Sequence, residues 1–188
     1  MKKLFLVVVI GAVALVNLKA QDSQNVDLNK SELTWEAEKI TGSHAGTIDL
    51  KSGSLVVSNG LIQSGEFVIN MESIAVTDIE DESTNQKLVG HLKSADFFDV
   101  ENYATSKFVI DGSEKSGSSL KVTGDLTIKG KTNPVSFEAN SISGGYSAEI
   151  VVDRTLYDVR YGSTKFFDNL ADKAIDDEFT INVQLFLE

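Results

Sequence analysis

A two-residue alternation of apolar and polar side chains runs through most of this chain. From Leu120 to Lys129, Val122, Gly124, Leu126 and Ile128 fall on one side, against Lys121, Thr123, Asp125, Thr127 and Lys129 on the other. Successive side chains of a strand point to opposite faces, so the pattern predicts a strand with one buried face. The C-terminal stretch repeats it: Phe179, Ile181, Val183, Leu185 and Leu187 alternate with Thr180, Asn182 and Gln184. Shorter runs behave alike, with Leu33, Trp35 and Ala37, then Phe67, Ile69 and Met71, then Phe108 and Ile110 each aligned. Val135, Phe137 and Ala139, and Ala148, Ile150 and Val152, complete the set. No helical pattern is long enough to carry a crossover between parallel strands, so the strands are expected to be antiparallel.

Turn chemistry separates these runs. Thr41-Gly42-Ser43, Lys51-Ser52-Gly53, Asn59-Gly60, the Gly/Ser stretch Ser116 to Ser119, Gly130 to Asn133 and Gly144-Gly145 all favour reversals. The second of these predicts separate strands at His44 to Leu50 and at Leu55 to Val57. Pro134, the only proline, is expected to open its strand, where a missing N–H does least harm. The result is an all-β class with a single antiparallel barrel of about eight strands, which is wide enough to enclose one ligand. A sandwich fits the same pattern. The long, apolar-faced terminal strands favour the barrel, because pairing them removes both edges.

One stretch departs from the alternation. Between Leu88 and Tyr103, Leu88, Val89 and Leu92 recur at helical spacing before Ser94 and Asp96 and the adjacent Phe97 and Phe98. This predicts a short helix near 81–94 that lies as a plug on one end of the barrel. Its Phe pair either anchors the segment to the core or shapes the mouth of an apolar cavity. The preceding acids, Asp78, Glu80, Asp81 and Glu82, lack the spacing of a calcium loop and suit a solvated helix N-terminus.

Charge and composition narrow the partners. Lys and Arg number 17 against 28 Asp and Glu, a net charge of −11. Residues 1–20 read as a signal peptide: Lys2 and Lys3, an apolar run from Leu4 to Val16, then Ala20 before polar Gln21. Cleavage at Ala20-Gln21 would remove Lys2, Lys3 and Lys19 and no acid, leaving a still more acidic periplasmic or secreted protein. Such a surface repels nucleic acid and anionic headgroups, so neither nucleic acid binding nor stable membrane insertion is expected. With no Cys, disulfides and thiolate metal sites are excluded. Residues 21–30 are polar and expected to be flexible, leaving 31–188 as the barrel domain.

Several motifs resemble the YceI-like family. They are Thr41 to Gly46 (TGSHAG), Gly90 to Val100 (GHLKSADFFDV), Gly124 to Gly130 (GDLTIKG), Arg154 to Gly162 (RTLYDVRYG) and Phe166 to Leu170 (FFDNL). The similarity extends from about Asp27 to Glu188. It implies a lipocalin-like barrel whose apolar tunnel holds a long polyisoprenoid, in a protein that is periplasmic or secreted. Ala104 follows Tyr103 where the family commonly has Pro.

The candidate binding residues are few. His44 and His91 are the only histidines. They lack metal-ligand spacing, so they are either ordinary turn residues or contacts to a ligand's polar head. Arg154 and Arg160, the only arginines, stand with Tyr157 and Tyr161. They could grip a phosphate or quinone oxygen through charge-assisted bonds, or pair with Asp153 and Asp158 to fix a bend. Phe97 and Phe98, and Phe166 and Phe167, form two adjacent pairs, each expected to place one ring in the core and the other toward the cavity. No nucleophile elbow, phosphate loop or zincin helix is present, and no metal or catalytic site is expected. The function expected is an exported carrier or store for an isoprenoid lipid, as a prenyl quinone or polyprenyl compound, with no other cofactor. A homodimer is compatible with it. The alternatives are a surface or adhesion module with a filled barrel and a hydrolase of unrecognised type.

Overall fold

The structure, a computed structural model, describes residues 23–188. The signal-peptide reading of 1–20 therefore lies outside the described residues. Nine strands and one α-helix follow in order: β1 (Ser23–Asn25), β2 (Glu32–Lys39), β3 (Gly42–Ser58), β4 (Leu61–Val76), α1 (Glu82–Lys93), β5 (Thr105–Ser116), β6 (Ser119–Ile128), β7 (Lys131–Ile142), β8 (Gly145–Asp153) and β9 (Ile175–Phe186). From β2 to β9 each strand pairs antiparallel with the next, and β9 returns to β2 with Leu33 opposite Val183 and Trp35 opposite Ile181. Eight strands thus close into an up-and-down barrel, as the paired terminal strands predict.

The two ends of the barrel differ. The lower end carries the tight turns Asn59-Gly60, Gly117-Ser118 and Ser143-Gly144. Asn59 and Gly60 have φ of 53° and 74°, the pair of positive values that a two-residue hairpin needs. The upper end carries α1 with its flanks and the long connection 154–174, which contains a 3₁₀ turn at Arg154–Tyr157. Asp81 caps α1 by accepting from the Thr84 N–H at 2.8 Å, and the Ser94 hydroxyl donates to the His91 carbonyl at 2.7 Å. These caps set the helix ends at the positions its sequence predicts.

Three expectations are corrected. Lys51-Ser52-Gly53 is not a turn: β3 runs through it, with Leu50 opposite Ile69 and Ser52 opposite Val68, so Lys51 is the extra residue of a bulge. A bulge bends a strand without ending it, and this one lets a single 17-residue strand wrap the barrel. The described part of 21–30 is built into the sheet rather than lying outside the barrel domain. β1 pairs with Ser54 to Val56 of β3, Val26 bridges Leu187, and Val26 is buried. Its polar residues satisfy the edge that β2 leaves, and its one apolar residue enters the core. Pro134 lies inside β7 rather than opening it.

The inward faces line the interior as their alternation requires. Trp35 Nε1 donates to the carbonyls of Thr47 and Ala75 at 3.3 and 3.2 Å, which fixes the ring across the β3–β4 pair. Gly46 makes this packing feasible, because a Cβ there would stand 1.8 Å from the Ala75 oxygen and 2.6 Å from the Trp35 ring.

Candidate functional site

Side chains do not fill the barrel. Its interior holds two apolar chambers of about 100 and 110 Å³. The lower is lined by strand residues alone, among them Leu55, Phe67, Val122, Phe137, Tyr146 and Ile150. The upper is lined by Trp35, Ile48, Met71, Ile128 and Phe179 from the strands, and by Leu92, Phe97, Phe98 and Arg154 from the upper end. Leu33, Ile69, Leu126 and Ile181 line both, so the chambers adjoin. The joined space is narrow and apolar, which suits an elongated apolar molecule.

The polar atoms near the upper chamber are mostly committed. The Ser106 hydroxyl lies 3.0 Å from Met71 Sδ. Buried Arg154 spends its guanidinium on main chain: Nε donates to Asp176 O, Nη1 to Val159 O and Tyr161 O, and Nη2 to Ile175 O, at 2.9 to 3.0 Å. It also stands 3.8 Å from Asp177 and 5.7 Å from the centre of the Phe97 ring. Burial pulls its pKa down, partly offset by the charges of Asp177, Asp153 and Asp176, and an arginine stays protonated through such a shift. Arg154 therefore fixes the bend between β8 and β9, but through carbonyls and Asp177 rather than Asp158. Its direct neighbours in sequence gave no sign of those partners.

His91 lies in the partition between this chamber and the outside. Its ring meets Phe97 at 5.5 Å and Tyr161 at 4.4 Å, both edge-on, and its Nε2 is buried with no hydrogen-bond partner. Beyond it is a shallow basin lined by Asp96, Lys129, Asp158, Arg160, Tyr161 and Phe167. Lys129 straps the partition by donating to the carbonyls of Ala95 and Phe97 at 3.1 and 3.0 Å.

The remaining candidates separate. His44 lines neither chamber; its Nδ1 bonds Asp78 at 2.8 Å. Burial opposes ionisation of Asp78, but hydrogen bonds from His44 and the Ala45 N–H outweigh it and hold the carboxyl below its usual range. Arg160 pairs with Asp158 at 2.6 Å on the surface and covers the Phe166 ring at 4.8 Å. Tyr157 is buried outside both chamber linings, and burial, helped by the charges of Asp153 and Asp125, pushes its hydroxyl up to about 12. Neither Phe pair divides as expected. Phe97 and Phe98 are both buried and both line the upper chamber, whereas Phe166 and Phe167 are both exposed, at 43% and 49%. A shared loop conformation decides each pair together. Most lining residues come from the strands' inward faces, which the alternation had already marked.

Comparisons with known proteins agree with this architecture. A YceI-like domain model matches residues 24–187. Protein YceI of Escherichia coli O157:H7 is 44% identical over 55 residues, which are 29% of this chain and 29% of the length of that relative. Among solved structures, Burkholderia cenocepacia BcnA superposes with a TM-score of 0.66 at 22% identity, covering 85% of this chain and 98% of that one. A polyisoprenoid binding domain from Saccharophagus degradans gives 0.63 at 14% identity, covering 88% and 97%. At such identities the likeness of these structures establishes the fold. The match of the family model over nearly all the described residues establishes the lineage: the protein belongs to the YceI-like family.

Proposed function

We propose that this protein is an exported carrier or store for a long isoprenoid lipid, with a prenyl quinone or polyprenyl compound lying along the joined chambers. The observation that carries the reading is an unfilled barrel interior whose lining is almost wholly apolar. Each CH₂ of a tail buried there contributes roughly 0.8 kcal/mol, so the tail supplies most of the affinity. The solved polyisoprenoid binding domain of the same fold supports the ligand class. The family and the apolar interior support binding rather than catalysis. Export rests on the signal-peptide pattern at 1–20, and no described helix is long and apolar enough to cross a membrane.

Solvent extraction of protein purified from its native compartment, followed by mass spectrometry, tests the ligand class. A prenyl lipid at near-stoichiometric amount is expected. Recovery of straight-chain fatty acids alone, or of no lipid from protein that also fails to take up a prenyl quinone, would overturn the reading.

A further inference from the structure

The barrel is closed in order of strands but not along its whole height. β7 and β8 pair only from Ala139 opposite Ala148 down to Ile142 opposite Gly145. Above that, Lys131 to Glu138 pair with β6 alone, and Glu149 to Asp153 with β9 alone. Continuing the register shows why the ladder stops. The next pair would set Glu138 against Glu149, both exposed, and like charges directly opposite destabilise a pair. Four pairs further on, Pro134 would face Asp153 without an N–H to give. The upper part of the gap is covered by the 3₁₀ turn, where Asn133 Nδ2 donates to the Leu156 carbonyl at 3.0 Å and Tyr157 is buried. The stretch Val135 to Glu138 is left uncovered, a window about 13 Å long at strand rise. Val135, Phe137 and Ile150 border it, line the lower chamber and are only partly buried. Val122, two strands from β8 on the same lining, is 1% exposed.

Each end of the barrel carries covering structure. The lower is shut by tight turns and the Val26–Leu187 bridge, and the upper by the plug of buried Leu92, Phe97, Phe98 and Arg154. We infer that the gap between β7 and β8 is a side door, through which a linear hydrocarbon chain slides into and out of the chambers. This rests on the lipid-carrier reading. The bordering side chains are apolar inside, and outside they are Ser136, Glu138 and Glu149 with the exposed Val151 among them, so the door passes a chain while its two glutamates reject a strand. Pro134 and the two glutamates likewise discourage a second copy from pairing with these edges.

The test uses the absence of Cys and the single Trp. Trp35 lines the upper chamber, so a prenyl benzoquinone offered from octyl glucoside micelles reports loading by quenching its fluorescence. Ser136→Cys with Val151→Cys, oxidised or bridged by a short bis-maleimide, shuts the window. Val151→Cys with Thr180→Cys places the same link across the paired β8–β9 as control. Glu149→Lys, which gives Glu138 an opposite charge, favours zipping without a cross-link. We expect loading at least tenfold slower in the shut protein, a several-fold slowing in Glu149→Lys, and wild-type rates in the control. Equal rates in all would overturn the side door while leaving the carrier intact. A wild type that neither quenches nor retains quinone on gel filtration would overturn the carrier reading and the door with it. A wild-type dimer split by the cross-link would assign the edges to a second copy instead.

Discussion

At the lower end of the barrel the main chain does the closing. Two-residue turns join the strands, β1 fills the edge of β3, and the Glu188 N–H donates to the Asn25 carbonyl at 3.0 Å. At the upper end two-residue turns join only β2 to β3 and β6 to β7; the rest of the main chain is spread over α1 and the connection 154–174, and side chains complete the closing. Arg154 gathers four carbonyls, Lys129 gathers two, and Asp153 caps the 3₁₀ turn while pairing with Lys165 at 2.9 Å. Away from the positive-φ turn positions, main-chain closure tolerates substitution because every residue type but proline supplies the same groups. Closure by a few side chains concentrates stability in those residues, and it leaves a cavity roof that a small change can loosen.

Arg154→Leu should strain this contrast most. It leaves buried carbonyls without donors, and a loss on the order of 3–5 kcal/mol in urea unfolding is expected. Arg154→Lys should recover part of it. A loss below about 1 kcal/mol would mean that the roof does not depend on its side chains. At the lower end, buried Ile62 offers the matching probe. Ile62→Val should cost about 0.5–1.5 kcal/mol, as the deletion of one buried methyl does.

Acid should separate the ends without any mutation. Burial works against ionisation of Asp153, but hydrogen bonds from Lys165 and Thr155 outweigh it and hold its pKa below the ordinary value of 3.8. A carboxyl depressed in the folded state contributes stability that is present above its unfolded pKa and lost as pH falls through the folded one. Amide exchange over 154–174 should therefore quicken from about pH 4 downward, before exchange quickens at the Asn59-Gly60 and Gly117-Ser118 turns. Simultaneous onset at both ends would erase the distinction. The smallest effect belongs to the exposed rings: Phe166→Ser and Phe167→Ser should each shift stability by no more than about 0.5 kcal/mol.

The same division governs what the sequence discloses. Period-two runs such as Val122 to Ile128 reveal strands and their inward faces because burial of one face is a local demand. α1 is legible from Asp81 and Ser94 because caps act within a turn. The continuity of β3 through Lys51 is not, since a bulge exists only against its partner β4. Nor are the partners of Arg154, which lie on residues as distant as Asp176. The chamber walls could be read from the alternation, whereas the roof depends on contacts that only the folded chain brings together. The gap between β7 and β8 lies between these cases: Glu138, Glu149 and Pro134 announce it once the register is known.

The meeting of Asn25 with Glu188 has a mechanical consequence. Val26 and Leu187 bridge antiparallel, so the two strands present their ends at the same side. A load applied between the ends would peel this contact one hydrogen bond at a time, the weakest way to pull a sheet apart. Rupture would then begin at the base and travel upward. The upper chamber would be among the last parts of the barrel to open.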